Sequence, residues 1–288
     1  MKRNLHLLII DPQNDFCDLP PSHRPHDPVS NAPHAPALPV PGAHADMQRL
    51  AHAIREGLHG ISAISVTLDS HHRFDIAHPT FWFAEGGANV APFTQITAAD
   101  VRAGRFRPRD PSALPRALAY LDALDANGRY QLMVWPVHCE IGSWGHNVHE
   151  DVRAAYNAWE DAALGIVSKI AKGSNPWTEH YSAVMAEVPD EADPKTQLNR
   201  ELIASLADAD RIYITGEAGS HCVKATTEHI ADHIDPSRLV LVTDCMSPVQ
   251  GFDTHYLGFL AAMAARGLQT ATSAQMLEEL KANAGAVQ

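Results

Sequence analysis

Three side chains that can cooperate in nucleophilic catalysis each lie at or just after the end of an apolar run. Asp11 directly follows LHLLII, Lys172 closes IVSKIAK, and Cys222 follows a glycine-rich turn. A thiolate can attack a carbonyl carbon, a carboxylate can transfer protons, and an ammonium can stabilise a developing oxyanion. Each residue also has a simpler interpretation, as a turn aspartate, a surface lysine and a buried helix cysteine.

The sequence around Cys222 predicts a strand, a turn and a helix in that order. The strand ends at Thr215, and the turn Gly216–Gly219 leads into a helix that begins near Ser220 or His221. A thiol in the first turn of a helix lies at the positive end of the helix dipole, which lowers the pKa of the thiol. The free N–H groups of that turn can bind an oxyanion. We therefore expect Cys222 to be a nucleophile with a lowered pKa.

Histidines and one aspartate cluster after two other apolar runs and suggest a metal site. Asp69, His71 and His78 follow the second run, and His138 follows the run QLMVW. Three imidazoles and a carboxylate suit Zn²⁺, Fe²⁺ or Mn²⁺. Two alternatives remain open: these histidines are solvated loop residues, or His72 replaces His71 or His78 as a ligand.

Five segments, in this order, resemble the motifs of the isochorismatase-like cysteine hydrolases, and of their nicotinamidase branch in particular. They are IIDPQNDF, DSHHRFDIAHPTFW, WPVHCEIGSWGHNVH, AKGSNPWTEHYSAV and GEAGSHCVKATTEHIAD. Five ordered motifs are far more specific than any one of them. The resemblance implies a hydrolase of linear amide C–N bonds that converts nicotinamide to nicotinate through a cysteine thioester, in pyridine nucleotide metabolism.

The resemblance also assigns roles to individual residues. It implies catalytic roles for Asp11, Lys172 and Cys222, and one divalent metal ion (Zn, Fe or Mn) on Asp69, His71, His78 and His138. It further implies that Phe16 and Trp135 sandwich the pyridine ring. The peptide bond before Ala218 is expected to be cis, so that the N–H groups of Ala218 and Cys222 bind the oxyanion.

The chain also departs from the family pattern in ways that bear on the substrate. Ser220 stands where an aspartate is frequent, and insertions at about 17–37 and 79–112 begin beside Phe16 and His78. The insertions can reshape the pocket, so a related amidohydrolase acting on a different small amide is an alternative. A hydrolase that uses metal-bound water, with an incidental cysteine, is a second one.

Four more histidines lie within these motifs. His146, His149, His180 and His221 are expected to be solvated or to cap helices. Because adjacent helix positions do not share a face, His221 is expected to point away from the nucleophile.

Apolar runs of strand length alternate along the chain with segments of helical spacing. This alternation predicts one domain over 1–288, an α/β fold with three layers and a doubly wound, mostly parallel sheet. The expected strands are 5–10, 61–68, 131–135, 166–170, 211–215, 239–243 and 268–272. The expected helices are 47–58, 113–124, 151–164, 198–207, 222–234, 254–266 and 273–283.

The bulk properties narrow the class of protein. The net charge of -12 argues against a nucleic-acid partner, and no run approaches the roughly 18 apolar residues of a membrane span. The apolar stretch near the N-terminus is too short for a signal peptide, and the four cysteines form no paired motif. We expect a cytoplasmic enzyme with a small-molecule amide substrate, and the resemblance implies a homo-oligomer.

Overall fold

A six-stranded parallel sheet forms the centre of the computed structural model, which describes residues 2–286. The strand order is β10-β9-β8-β1-β2-β7, and every neighbouring pair is parallel. The strands of this sheet are β1 (Leu5–Ile10), β2 (Ala63–Asp69), β7 (Ser168–Lys172), β8 (Arg211–Gly216), β9 (Leu239–Val242) and β10 (Gln269–Ala271). The mostly parallel α/β sheet predicted from the alternation of elements is therefore confirmed.

Eight α-helices accompany the sheet in the described part of the chain. They are α1 (Ala43–Gly57), α2 (Ala98–Arg102), α3 (Leu114–Asn127), α4 (Glu150–Ala163), α5 (Arg200–Ala207), α6 (Cys222–Ala231), α7 (Asp253–Ala265) and α8 (Ser273–Ala284). Helix α1 packs against α4 and α8, and α6 contacts α7. None of the helices within residues 2–286 is long and apolar enough to cross a membrane.

Burial explains why these segments fold as they do. All six residues of β1 and all four of β9 are buried, as expected for strands with helices on both faces. In α1 the buried residues Met47, Leu50, Ala51 and Ile54 recur at the spacing of one helix face. The apolar pattern of the sequence therefore determines which elements form the core.

The run 131–135 forms a strand, but the strand does not belong to the central sheet. Residues Leu132–Val134 (β6) pair antiparallel with Thr94–Ile96 (β4) in a separate two-stranded sheet. A second small sheet joins Trp82–Ala84 (β3) to Phe106–Pro108 (β5). The expectation that β6 lies in the main sheet was wrong, because an apolar run shows that a strand is buried but not what it pairs with.

Both insertions are ordered against the rest of the chain. The segment 79–112 contains β3, β4, β5 and α2 rather than one long loop. In the segment 17–37, the N–H group of Ala37 donates to Asp15 Oδ1 at 2.9 Å. The organisation of 1–288 as a single domain stays a prediction.

The sheet topology determines where a ligand can bind. The chain proceeds from β1 to β2 and β7 on one side and then continues with β8, β9 and β10 on the other. Parallel sheets bind ligands at the carboxyl ends of their strands, next to the point where the strand order reverses. Asp11 follows β1 and Cys222 follows β8, so both lie beside this point.

Candidate active site

The side chains of Asp11, Lys172 and Cys222 meet in one buried cluster. Lys172 Nζ lies 2.9 Å from Asp11 Oδ2 and 3.6 Å from Cys222 Sγ. The Sγ atom of Cys222 and one carboxylate oxygen from each of Asp11 and Asp69 lie within 4.8 Å of one another. These atoms are all shielded from solvent, since Asp11 is fully buried and Cys222 is 6% exposed. The arrangement can exchange a proton between thiol and carboxylate beside a fixed positive charge.

Thr67 and His180 hold this cluster in place. Thr67 Oγ1 donates to Asp11 Oδ1 at 2.5 Å and accepts from the Asp11 N–H group at 3.0 Å. Lys172 Nζ also donates to the main-chain oxygen of His180 at 3.1 Å. Both the base and the cation are therefore restrained before any substrate binds, which is what efficient catalysis requires.

The protonation of the cluster differs from the sequence expectation. Burial raises the pKa of Cys222 well above its usual value, and this outweighs the effect of Lys172, which lowers it. Burial also raises the pKa of Asp11, against the opposing effect of Lys172. The prediction of a lowered thiol pKa was wrong, because the helix terminus and the lysine act here in a site closed to water. A neutral thiol beside a carboxylate of increased basicity favours proton transfer during attack.

The turn before Cys222 leaves main-chain N–H groups without an acceptor in the described part of the chain. The peptide bond between Glu217 and Ala218 is cis, as the motif implied, and helix α6 begins at Cys222. Within residues 2–286, the N–H groups of Ala218 and Cys222 donate to no acceptor in the chain. Both groups are thus free to bind an oxyanion.

Asp69, His71, His78 and His138 lie together next to this cluster, as predicted. Asp69 Oδ2 is 3.1 Å from His71 Nε2 and 3.3 Å from His138 Nε2. His78 Nε2 lies 3.4 Å from His138 Nδ1, and the three imidazoles place one nitrogen each within 4.8 Å of one another. His72 is exposed and is not part of this group.

The donor set fits a divalent metal ion. All four residues are buried, with at most 4% of any of them exposed. Burial, with the neighbouring His138, lowers the pKa of His78 to about 3, so its imidazole is neutral, the form that binds metals. His78 Nδ1 is buried and has no hydrogen-bond partner in the described part of the chain. Three imidazoles and one carboxylate form a set that Zn²⁺, Fe²⁺ or Mn²⁺ accepts.

Asp75 orients one of these ligands and was missed by sequence reasoning. Its Oδ2 lies 3.1 Å from His71 Nδ1, while its Oδ1 accepts from the Ala77 N–H group at 2.9 Å. A carboxylate on the far nitrogen of a histidine ligand is a common feature of metal sites. Its only sequence signal was the position four residues after His71, in a loop without periodicity.

Gln13 connects the two parts of the site through main-chain contacts. Its side chain donates to the Asp69 carbonyl oxygen at 2.8 Å and accepts from the Asp69 N–H group at 2.7 Å. This pair of bonds ties the strand end that carries Asp69 to the loop after Asp11. Sequence reasoning missed this residue too, although it lies in the motif IIDPQNDF.

The two predicted ring-binding residues lie on different sides of the site. Phe16 packs edge-on against His138 with ring centres 5.4 Å apart, and Trp135 packs against His221 at 5.1 Å. Trp135 Nε1 donates to the hydroxyl of Tyr181 at 3.1 Å. Phe93, from the second insertion, contacts Trp135 with ring centres 5.9 Å apart. Trp135, Tyr181, His221 and Phe93 thus form an aromatic wall, to which the second insertion contributes Phe93.

A cavity of about 600 Å³ opens beside this wall. Its lining includes Gln95, Tyr130, Met133, Tyr181, His221 and Phe252. The position of Ser220 and His221 in the lining places the cavity next to the nucleophile turn.

The remaining motif histidines have mixed outcomes. His149 caps helix α4 through its side chain, as expected. His180 was expected to be solvated or capping, which was wrong: it is buried and accepts from the Gly173 N–H group. His221 lies at the N-cap position of α6 but makes no side-chain capping bond; it is buried rather than solvated and packs among aromatic rings. Their neighbours in the fold, not their positions in the sequence, decide their burial.

Comparison with known proteins gives a fold but no sequence match. No protein-family model matches the chain, and no curated protein sequence matches it. Yeast nicotinamidase Pnc1p, bound to the inhibitor nicotinaldehyde, has a similar structure with a TM-score of 0.61 at 18% identity, covering 93% of this chain and 99% of that one. A nicotinamidase/pyrazinamidase from Acinetobacter baumannii gives 0.60 at 18% identity, covering 95% and 98%.

A third similar structure is the pyrazinamidase of Pyrococcus horikoshii in complex with zinc. Its TM-score is 0.50 at 18% identity, covering 93% of this chain and 99% of that one. These likenesses show the fold, and the predicted three-layer isochorismatase-like hydrolase fold is confirmed.

Proposed function

We propose that the protein is a cysteine amidohydrolase that releases ammonia from a small carboxamide, with nicotinamide as the substrate. The observation that carries this proposal is the contact of Lys172 Nζ with both Asp11 and Cys222 Sγ in one buried site. Structures named as nicotinamidases share this fold, and this supports amide hydrolysis as the reaction class. Fold alone does not decide function, so the site residues have to be tested directly.

The reaction begins with transfer of the Cys222 thiol proton to Asp11. The sulfur attacks the amide carbon, and the N–H groups of Ala218 and Cys222 hold the resulting oxyanion. Asp11 then gives its proton to the nitrogen as the C–N bond breaks, which releases ammonia and leaves a thioester. Lys172 supplies a positive charge beside the reacting atoms: burial opposes ionisation, but Asp11 and Asp69 raise the pKa of Lys172 well above its usual value.

The second half of the reaction uses the same groups. Asp11 takes a proton from water, and the hydroxide formed attacks the thioester carbonyl. Collapse of the tetrahedral intermediate releases the carboxylic acid and the Cys222 thiolate, which regains the proton from Asp11. The catalytic groups thereby return to their starting state.

Asp69, His71, His78 and His138 would hold the metal ion, and Asp75 would orient His71. When bound, a divalent ion supplies a Lewis-acidic position that can hold a ring nitrogen, directly or through water. Phe16 beside His138 and Trp135 beside His221 would flank the ring and orient the carboxamide toward Cys222. The choice among zinc, iron and manganese, the cytoplasmic location and the homo-oligomer stay predictions.

Ammonia release from a panel of amides tests the proposal. We expect turnover of nicotinamide and pyrazinamide, and much weaker turnover of benzamide, which lacks the ring nitrogen. Replacing Cys222 by Ala should lower kcat by about 10,000-fold or more and leave the metal content unchanged. The matched control is Cys245→Ala, since Cys245 is also buried but is separate from the catalytic cluster.

The panel also separates the two alternatives. The contact of Phe93 with Trp135 favours a pocket reshaped by the second insertion, and turnover of another small amide in place of nicotinamide would support that. Full activity of Cys222→Ala would instead identify metal-bound water as the nucleophile. No ammonia from any carboxamide would contradict the amidohydrolase proposal itself.

A further inference from the structure

Glu217 is a buried acid in the turn that carries the nucleophile, and the proposed mechanism does not use its side chain. It is fully buried and directly precedes Ala218, whose N–H group is proposed to bind the oxyanion. Its main-chain N–H group donates to the Ile10 oxygen at 2.8 Å, next to Asp11. A buried glutamate at such a position requires partners, because an unpaired buried charge is strongly unfavourable.

Ser247 supplies one of these partners and links three parts of the chain. Its N–H group donates to Glu217 Oε2 at 3.1 Å, and its carbonyl oxygen accepts from the Gly219 N–H group at 2.8 Å. Its hydroxyl donates to Asp46 Oδ2 at 2.6 Å. Ser247 therefore fastens the nucleophile turn to helix α1 through every polar atom it has.

The surroundings of the second carboxyl oxygen of Glu217 indicate whether this acid is protonated. Glu217 Oε1 is buried and accepts no hydrogen bond from any donor within residues 2–286. The side chain of Glu217 does, however, pair with the carboxyl group of Asp46, which is 2% exposed. Two carboxyl groups bond to each other only when one of them carries a proton. Asp46 already accepts from Ser247 and pairs with Arg49, so the proton belongs on Glu217.

The charges around the pair agree with this assignment. Burial, then Asp46 and Asp18, raise the pKa of Glu217 well above its usual value. The other titratable neighbours of the two acids are Cys17, Cys245 and Tyr256. Arg49 contributes a cation to the pair through its contact with Asp46.

We propose that Glu217 is a positioning residue that holds the nucleophile turn in its reactive shape, as a neutral acid donating to Asp46 and accepting from the main chain of Ser247. The turn fixed in this way carries the N–H groups of Ala218 and Cys222. Small displacements of such groups lower the rate of the chemical step more than they affect substrate binding. The kinetic part of this inference rests on the proposed function.

Two substitutions separate a neutral acid from a merely structural side chain. Glu217→Gln keeps one donor and one acceptor, so it should retain at least about a third of the wild-type kcat, since both hydrogen bonds persist. Glu217→Leu keeps the volume but removes both bonds, and kcat should fall by about 10–100-fold with KM changed less than about twofold. Glu201→Leu, on the exposed side of α5, is the control and should behave as wild type.

An infrared difference spectrum between wild type and Glu217→Gln tests the proton without any turnover. At pH 9 the spectrum should contain a carboxylic acid C=O band that the variant lacks. Absence of this band overturns the inference, and so does equal kcat loss in the Gln and Leu variants or wild-type kcat in Glu217→Leu. If Glu217→Leu does not fold, the Gln variant and the spectrum still decide. If wild type hydrolyses no amide, the proposed function fails while the band still reports on Glu217.

Discussion

Lys172 Nζ lies 3.0 Å from Asp69 Oδ1, while the other oxygen of Asp69 faces His71 and His138. One carboxylate therefore belongs to both the cysteine cluster and the metal-binding cluster. Lys172 in turn balances two buried carboxylates, Asp69 and Asp11. This ion pair couples the two halves of the site, in addition to the main-chain contacts of Gln13.

Replacing Lys172 by Met should damage both activity and stability. Two buried carboxylates would lose their cation, which we expect to lower the free energy of unfolding by about 3–5 kcal/mol. Loss of the charge beside the reacting atoms should lower kcat by at least about 100-fold. Urea unfolding and ammonia release measure the two effects.

Lys169→Met is the matched control for this substitution. Lys169 lies on the same strand, but its side chain is 44% exposed and its nearest acid, Glu160, is 4.0 Å away. Its loss should change the free energy of unfolding by less than about 1 kcal/mol. Equal effects of the two substitutions would show that the buried ion pairs of Lys172 are unimportant.

Asp75→Asn should weaken metal binding without removing a ligand. The amide cannot accept the His71 N–H bond as strongly as the carboxylate, so the affinity for Zn²⁺ should fall by about 10–100-fold. Competition with a chromophoric chelator measures this affinity directly, independent of turnover. Asp161→Asn, at an exposed position of α4, should leave it unchanged. An unaltered affinity in Asp75→Asn would contradict an orienting role for Asp75.

Much of the site could be predicted because its residues follow apolar runs. Asp11, Asp69 and Lys172 each lie at the tip of a strand of the parallel sheet, and parallel strands bring their carboxyl ends to one edge. The ordered motifs then identified which side chains at that edge belong together. Strand tips and motifs are both local in sequence, so sequence reasoning could find them.

The features that were missed depend on contacts between distant segments. Strand β6 pairs with β4 of the second insertion, a partner that its apolar sequence does not specify. The pKa of Cys222 is raised because the surrounding chain excludes water, an effect that outweighs the opposing effect of Lys172. The acid–acid contact of Glu217 with Asp46 joins segments more than 150 residues apart. Such effects appear only once the fold is known.

Gly216→Ala should prevent the turn before Ala218 from forming. Gly216 has a φ of +110°, and a Cβ atom there would lie 1.9 Å from the Ile10 carbonyl oxygen. Ile10 and Gly216 are paired residues of the neighbouring strands β1 and β8, so neither main chain can move away easily. We therefore expect a loss of more than about 3 kcal/mol in unfolding free energy. Urea or thermal unfolding measures it.

Gly258→Ala is the matched control for the glycine substitution. Gly258 lies inside α7, and a Cβ atom there meets no heavy atom within 4 Å in the described structure. Alanine should therefore stabilise the helix by about 0.5–1 kcal/mol. A tolerated Gly216→Ala would show that β1 and β8 can separate at their carboxyl ends.

Glu187 makes the stability of the protein depend on pH at values above the ordinary pKa of a glutamate. Burial raises its pKa from 4.5 to about 7, although Arg129 opposes the shift, and Oε1 has no hydrogen-bond partner among residues 2–286. The folded state therefore binds this proton more tightly than the unfolded state does. The resulting stabilisation is complete below pH 4.5 and is lost as the pH rises from 4.5 to 7.

Glu187→Gln removes this dependence, because the amide cannot ionise. Relative to wild type, the variant should gain about 2–3 kcal/mol in unfolding free energy between pH 5 and pH 8. Urea unfolding at both pH values measures the gain, and Glu201→Gln, at an exposed position, should follow wild type throughout. If the wild-type and Glu187→Gln stabilities change in parallel between pH 5 and pH 8, Glu187 is ionised in the folded protein as readily as in the unfolded chain, and the burial of its carboxyl group has no net effect.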